Sequence, residues 1–134
     1  MILINNSDTY NKTELKELFS SVGWAQNLSE DRLFTAMSNS SHIVTARDGD
    51  KLVGLVRSMD DDIYSANIDC MVVHASYHKK GIAKAMLKAL LETISHIEYI
   101  SVAPDSSATF PLYASCGFKV MEESRLLQLN KSKE

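Results

Sequence analysis

The sequence is short of the residues that mark special scaffolds: two prolines, two cysteines, five glycines, one tryptophan and an aromatic content of 7% among 134 residues. Cys70 and Cys116 lie far apart without CxxC spacing, which argues against a disulfide-stapled domain and fits free thiols in a reducing compartment. Cys116 reads as a small core residue, with a nucleophile as the lesser alternative. No apolar run approaches the roughly 18 residues needed to span a bilayer. No basic region precedes the apolar residues 1–4, so a signal peptide is not expected and a cytoplasmic location is. Clustered Lys and Arg are scarce as well. With 14 basic against 17 acidic side chains the net charge is -3, which disfavours nucleic acid and an anionic membrane as partners. A small molecule or a cationic partner fits better.

What is present belongs to an ordinary folded domain. Hydrophobic residues make up 45% and charged residues 23%, with no block of like charge and no low-complexity tract. The length allows one compact domain over residues 1–134. A short strand in the first eight residues ends in the turn chemistry of Asn5-Asn6-Ser7-Asp8. Leu15, Leu18, Phe19 and Val22 recur at helical spacing over residues 11–22, up to Gly23. Ser29 caps a second helix that ends near Asn39, with Leu28 placed to staple onto Leu33. Residues 42–48 and 51–57 form a hairpin about Gly49-Asp50. Asp60-Asp61-Asp62 follows as an acidic turn. Three adjacent carboxylates invite a cation, but no further ligand follows at loop spacing, so the turn is read as solvated and no metal is expected.

A long strand spans residues 63–73, and residues 80–94 carry the strongest helical stripe in the chain. A short strand covers residues 99–103, and Pro104-Asp105-Ser106 breaks the chain before a short helix at 107–115, which Gly117 stops. Pro111 is tolerable there if the helix effectively begins near Thr109 or its first turn is distorted. Residues 118–121 and 125–130 are expected to finish as a β pair, followed by a frayed charged tail. The expected order is βααβββαβαββ.

The segment that carries chemistry is Val72-Val73-His74-Ala75-Ser76-Tyr77-His78-Lys79-Lys80-Gly81-Ile82-Ala83-Lys84, an apolar strand running through a polar loop into a helix. A helix N-terminus offers unpaired amides and the positive end of its dipole, and a glycine lets a ligand approach the backbone. Lys79, Lys80 and Lys84 add positive charge there, which suits a phosphate group. The bland alternative is a plain strand-to-helix turn with a solvated basic face. The Gly-x-x-x-x-Gly-Lys-Ser/Thr spacing of a P-loop is absent.

His78-Lys79-Lys80-Gly81-Ile82-Ala83 resembles the GNAT acetyltransferase signature Gln/Arg-x-x-Gly-x-Gly/Ala. Tyr113-Ala114-Ser115-Cys116-Gly117-Phe118 is similar to the family's second hallmark, Tyr-x-x-x-Gly-Phe, at the expected distance downstream. The likeness runs from about Met1 to Asn130. It implies an α/β (α+β) acyl-CoA N-acyltransferase fold, with a mixed, mostly antiparallel central sheet flanked by helices. It also implies acetyl transfer from acetyl-CoA to an amine. A weaker likeness, from Gly23-Trp24 through the central motif, is to small stand-alone members that acetylate arylalkylamines.

By that resemblance Met71, Val72 and Val73 match the strand along which the pantetheine arm lies, and the amides of residues 79–84 match those that hold the pyrophosphate. The positions are Lys79, Lys80, Gly81, Ile82, Ala83 and Lys84, and backbone contacts tolerate side-chain variety there. His78 stands where Gln or Arg is usual, and Ser106 where many members have a cofactor-contacting Asn. Tyr113 matches the general acid for the departing thiolate, against a packing role under the cofactor. For the base, Asp69 lies mid-strand among Ile68, Cys70 and Met71, where a carboxylate is costly unless paired or facing a cavity. Asn67 shares its face. A structural partner role for Asp69 and an ordered water as base stay open, and His74 reads as a loop residue. Trp24, Leu28 and Phe110 are the candidate acceptor-binding residues, with core packing an equal alternative for Trp24. The leading reading is N-acetylation of a small-molecule amine by direct attack in a ternary complex. Its competitors are a protein or peptide acetyltransferase, a non-catalytic acyl-CoA sensor, and a nucleotide-binding regulator using the Gly81 turn. Members of the family often pair, so a homodimer is expected.

Overall fold

The computed structural model describes residues 1–132, which fall into two compact units divided after Val102. The first holds β1 (Ile2–Asn5), α1 (Lys12–Ser21), α2 (Glu30–Ser38), β2 (His42–Asp48), β3 (Lys51–Asp60), β4 (Ser65–Val73), α3 (Ile82–Thr93) and β5 (Tyr99–Val102). A single 3-10 turn, Ala75–Tyr77, lies between β4 and α3.

Local chemistry sets the helix starts. Asn11 accepts the Glu14 amide while the Glu14 carboxylate accepts the Asn11 amide, a reciprocal cap for α1. The Ser29 hydroxyl accepts the Arg32 amide at the start of α2. The sheet runs β1-β2-β3-β4-β5, antiparallel except for the parallel β4–β5 pair.

The central strand β3 is buried continuously from Leu52 to Val56, the pattern of a strand covered on both faces. Leu55 packs with Leu15, Leu18, Phe19, Leu33 and Met37 of α1 and α2. Its neighbour Gly54 points to the other face, where an added Cβ would come within 2.9 Å of Met86 of α3. Helices therefore cover opposite sides of the sheet. Ile82, Met86, Leu87 and Leu90, spaced along one side of α3, are all buried. Each such side chain contributes about 1.5–3 kcal/mol by leaving water.

In the second unit, a 3-10 turn at Ser107–Thr109 leads into α4 (Phe110–Ala114), with Pro111 in its first turn as its missing N–H requires. Gly117 at φ +98° ends the helical turn. The expected final β pair is not formed. Residues 118–121 and 124–130 carry no ladder, and Val120, Met121, Leu126, Leu127 and Leu129 are exposed. The turn between them, at Glu122-Glu123, has neither Gly nor Asn to take the positive φ of a tight hairpin. The last two residues of the expected charged tail lie outside the described residues. Among the described residues no helix is long and apolar enough to cross a membrane.

Candidate active site

The feature that shapes the site is a break in the β4 ladder. Arg57 pairs with Asp69 and Leu55 with Val72, so Val56 alone stands opposite both Cys70 and Met71. This is a β-bulge, and its first residue, Cys70, sits at φ +54° without being glycine. Such a conformation costs on the order of 1–3 kcal/mol, and strain of this kind clusters at functional sites. On the other side of β4, pairing with β5 ends at Ile68 opposite Val102. From Asp69 onward β4 keeps its β3 partner and has no β5 partner. The strand edge at residues 69–73 is thereby available for an extended ligand, and it holds Met71, Val72 and Val73. Val72 points its side chain into the α1–α2 core.

The loop that follows is pinned at both ends and bare in the middle. The Tyr77 hydroxyl donates to Asp48 at 2.6 Å, and His78 Nε2 donates to the Val73 carbonyl at 2.8 Å. His78, expected to face a cofactor, closes the strand end through this bond. Lys79 at φ +64° and Gly81 at φ +77° turn the chain sharply, and Gly81 caps α3 with no side-chain hydrogen bond. Left-handed residues next to a helix start form an anion-binding concavity of amides. An added Cβ on Gly81 would meet nothing within 4 Å, so the backbone is open to approach. Lys79, Lys80 and Lys84 are exposed around it, whereas Ile82 is buried and anchors the helix.

Asp69 is not alone. Arg57 Nε donates to its Oδ1 at 2.6 Å, and the same guanidinium reaches the Ala36 carbonyl at 3.2 Å and Ser40 Oγ at 3.4 Å. Arg57 therefore ties the bulged strand to the end of α2. Sequence reading missed it, although a charge following the apolar run 52–56 of β3 signals a partner on the next strand. Burial pushes the neighbouring Cys70 thiol up to about 12, so it stays protonated and unreactive. Trp24 and Leu28 come together on the α1–α2 core, with Trp24 edge-on to Phe19 at 6.3 Å between ring centres. Core packing is thus part of what Trp24 does.

The remaining sequence candidates belong to the second unit. Tyr113 is 6% exposed and edge-on to Phe118 at 5.7 Å. Burial, helped by the charge of Asp105, raises its phenol above the ordinary value, which keeps the proton on it. Ser106 is exposed and its carbonyl accepts the Thr109 amide and hydroxyl, while Phe110 is 39% exposed.

Known proteins show the same layout. A GNAT-family acetyltransferase from Streptococcus pneumoniae superposes with a TM-score of 0.83 at 26% identity, covering 98% of this chain and 100% of that one. A probable acetyltransferase from meticillin-resistant Staphylococcus aureus superposes at 0.85 with 20% identity, over 97% and 99% of the two chains. An uncharacterized N-acetyltransferase, ycf52, of Pyropia yezoensis is 28% identical over 105 residues, 75% of this chain. The chain spans about 60% of that relative's length. The model of an acetyltransferase (GNAT) domain matches residues 7–127, and with the bulged β4, its divergence from β5 and the glycine-capped α3 this assigns the chain to the GNAT acetyltransferase family.

Proposed function

We propose that the protein transfers an acetyl group from acetyl-CoA to the primary amine of a small molecule, by direct attack within a ternary complex. The observation that carries this reading is the β4 edge freed at the bulge and followed at once by an uncapped, lysine-flanked helix start. An extended amide-bearing arm fits the first and a pyrophosphate the second. Residues 71–73 would hold the arm through backbone groups, and the amides of residues 79–84 the phosphates, with Lys79, Lys80 and Lys84 supplying charge.

The amine nitrogen forms a bond to the thioester carbonyl carbon as the carbon–sulfur bond breaks. Two protons must be managed. Tyr113, kept protonated by burial, delivers one to the departing thiolate. Asp69 takes the proton lost by the amine, directly or through water, and Arg57 fixes the carboxylate's orientation through Oδ1. Arg57 is a positioning residue in this scheme. Trp24, Leu28 and Phe110 are the side chains proposed to select the acceptor, and the net acidity of the chain favours a cationic one.

An amine panel monitored by thiol release from acetyl-CoA tests the reading. Turnover is expected with at least one small amine, and Tyr113→Phe is expected to lower kcat by about 10²–10⁴-fold with little change in KM for acetyl-CoA. Unchanged turnover in Tyr113→Phe would remove the acid role. Binding of CoA without turnover on any amine would replace the enzyme by a sensor.

A further inference from the structure

The acidic turn after β3 lacks partner ligands along the sequence, and the fold brings a histidine to it from each of two distant segments. His42 opens β2 opposite Ser58, and His96 lies between α3 and β5. His42 Nδ1 stands 2.9 Å from Asp60 Oδ2, to which the Ser58 hydroxyl also donates at 2.7 Å. His96 Nε2 stands 2.7 Å from Asp62 Oδ1. One donor atom from each of His42, Asp60 and Asp62 lies within 4.8 Å of the other two.

The three aspartates have different work. Asp61 Oδ1 accepts the amides of Ile63, Tyr64 and Ser65 at 2.9, 2.7 and 3.2 Å, which fixes the turn. Asp60 and Asp62 flank it. The Asp60 side chain is 1% exposed, whereas those of Asp62 and His96 are 69% and 49% exposed, so the group has a buried floor and an open mouth.

We propose that His42, Asp60 and Asp62 form a binding site for a divalent transition metal of the zinc type, with His96 orienting the Asp62 carboxylate from outside the ligand set. One imidazole nitrogen with two carboxylates, water completing the shell, is a small mixed donor set that suits zinc and its neighbours, whereas calcium and magnesium prefer six or more oxygens. Tetrahedral zinc, with bonds of about 2.0–2.1 Å, separates adjacent donors by about 3.3 Å. The His42–Asp60 pair, at 2.9 Å, widens by roughly 0.4 Å as the metal replaces the proton between them, while Asp62, whose donor lies within 4.8 Å of both, closes in from the exposed turn. The ion joins the start of β2 to the end of β3 and the turn that follows it. These lie at the opposite end of β4 from its bulged half, so the site is independent of the proposed transfer reaction.

The test titrates chelator-treated, untagged protein with zinc chloride by calorimetry, with thermal unfolding followed in parallel. One zinc per chain and a rise in Tm are expected. His42→Gln and the surface double variant Asp62→Asn/His96→Gln are each expected to weaken binding by about tenfold or more. Asp60→Asn removes a buried group and can unfold the chain, so the surface double variant carries the decision. Zinc binding of unchanged strength in that variant and in His42→Gln overturns the site. So does the absence of both binding heat and a Tm shift in the unaltered protein.

Discussion

At one end of the sheet the chain turns from β3 to β4 through Asp62 at φ +65°; at the other, β4 bulges through Cys70 at φ +54° and the loop runs on through Lys79 and Gly81 at φ +64° and +77°. Backbone strain is therefore common to both ends and does not by itself distinguish a site. What differs is the fate of the polar groups. At the acidic turn Asp60, Asp61, Asp62, Ser58, His42 and His96 satisfy one another or nearby amides. At the bulge end the β4 edge has no β5 partner, and α3 starts without a side-chain cap. Amides left without an internal partner are what an anionic ligand can use, whereas the paired side chains of the acidic turn can take a cation only in exchange for a proton.

The sharpest way to break this contrast is to reverse charge at the open end. The double variant Lys79→Glu/Lys80→Glu is expected to raise KM for acetyl-CoA roughly 100-fold, since each charge-assisted contact to a phosphate contributes about 1.5–3 kcal/mol. Its kcat should hold, because the contact is equal in ground and transition states. Both lysines are exposed, so Tm should also hold. Steady-state kinetics at fixed ionic strength, beside a melting curve, decide it; an unchanged KM would detach the loop from the cofactor.

Ser58→Ala probes the closed end. Ser58 is fully buried and donates to Asp60 Oδ2 at 2.7 Å, so its loss removes a hydrogen bond to a charged group. A destabilisation of about 1.5–3 kcal/mol is expected in urea unfolding, with KM for acetyl-CoA unchanged. A shift in KM would mean that the two ends are coupled through the sheet.

These two ends were unequally legible in the sequence. The loop and helix start at 79–84 form a local pattern, a basic run against a glycine before an apolar stripe, and the structure keeps it. The helix cap at Ser29 and the hairpin at Gly49-Asp50 are local too. The bulge was not legible, because Cys70 is neither Gly nor Asn and nothing beside it announces a positive φ. Long-range pairings were equally silent. Arg57 meets Asp69 through strand register, and His42 and His96 reach the acidic turn from far along the chain. The final β pair fails for the converse reason: apolar residues marked residues 118–121 and 125–130 as strands, but a strand also needs a ladder.

The smallest expected effect sharpens the comparison most, since it asks what a turn carboxylate does when it faces amides rather than a ligand. Asp61 is held below its ordinary value of 3.8 by the amides of Ile63, Tyr64 and Ser65. Because the folded form binds the proton less readily than the unfolded one, this stabilisation is fully present above about pH 4 to 5 and fades as pH falls through the lowered value. Asp61→Asn keeps the acceptor oxygen and removes the charge. It should lower stability slightly at pH 7 and flatten the loss of stability between neutral and acid pH, both read from urea midpoints across that range. If the variant instead showed the same pH dependence as the unaltered chain, the amides would be serving the shape of the turn and not the charge of the carboxylate. The closed end would then owe its rigidity to geometry alone.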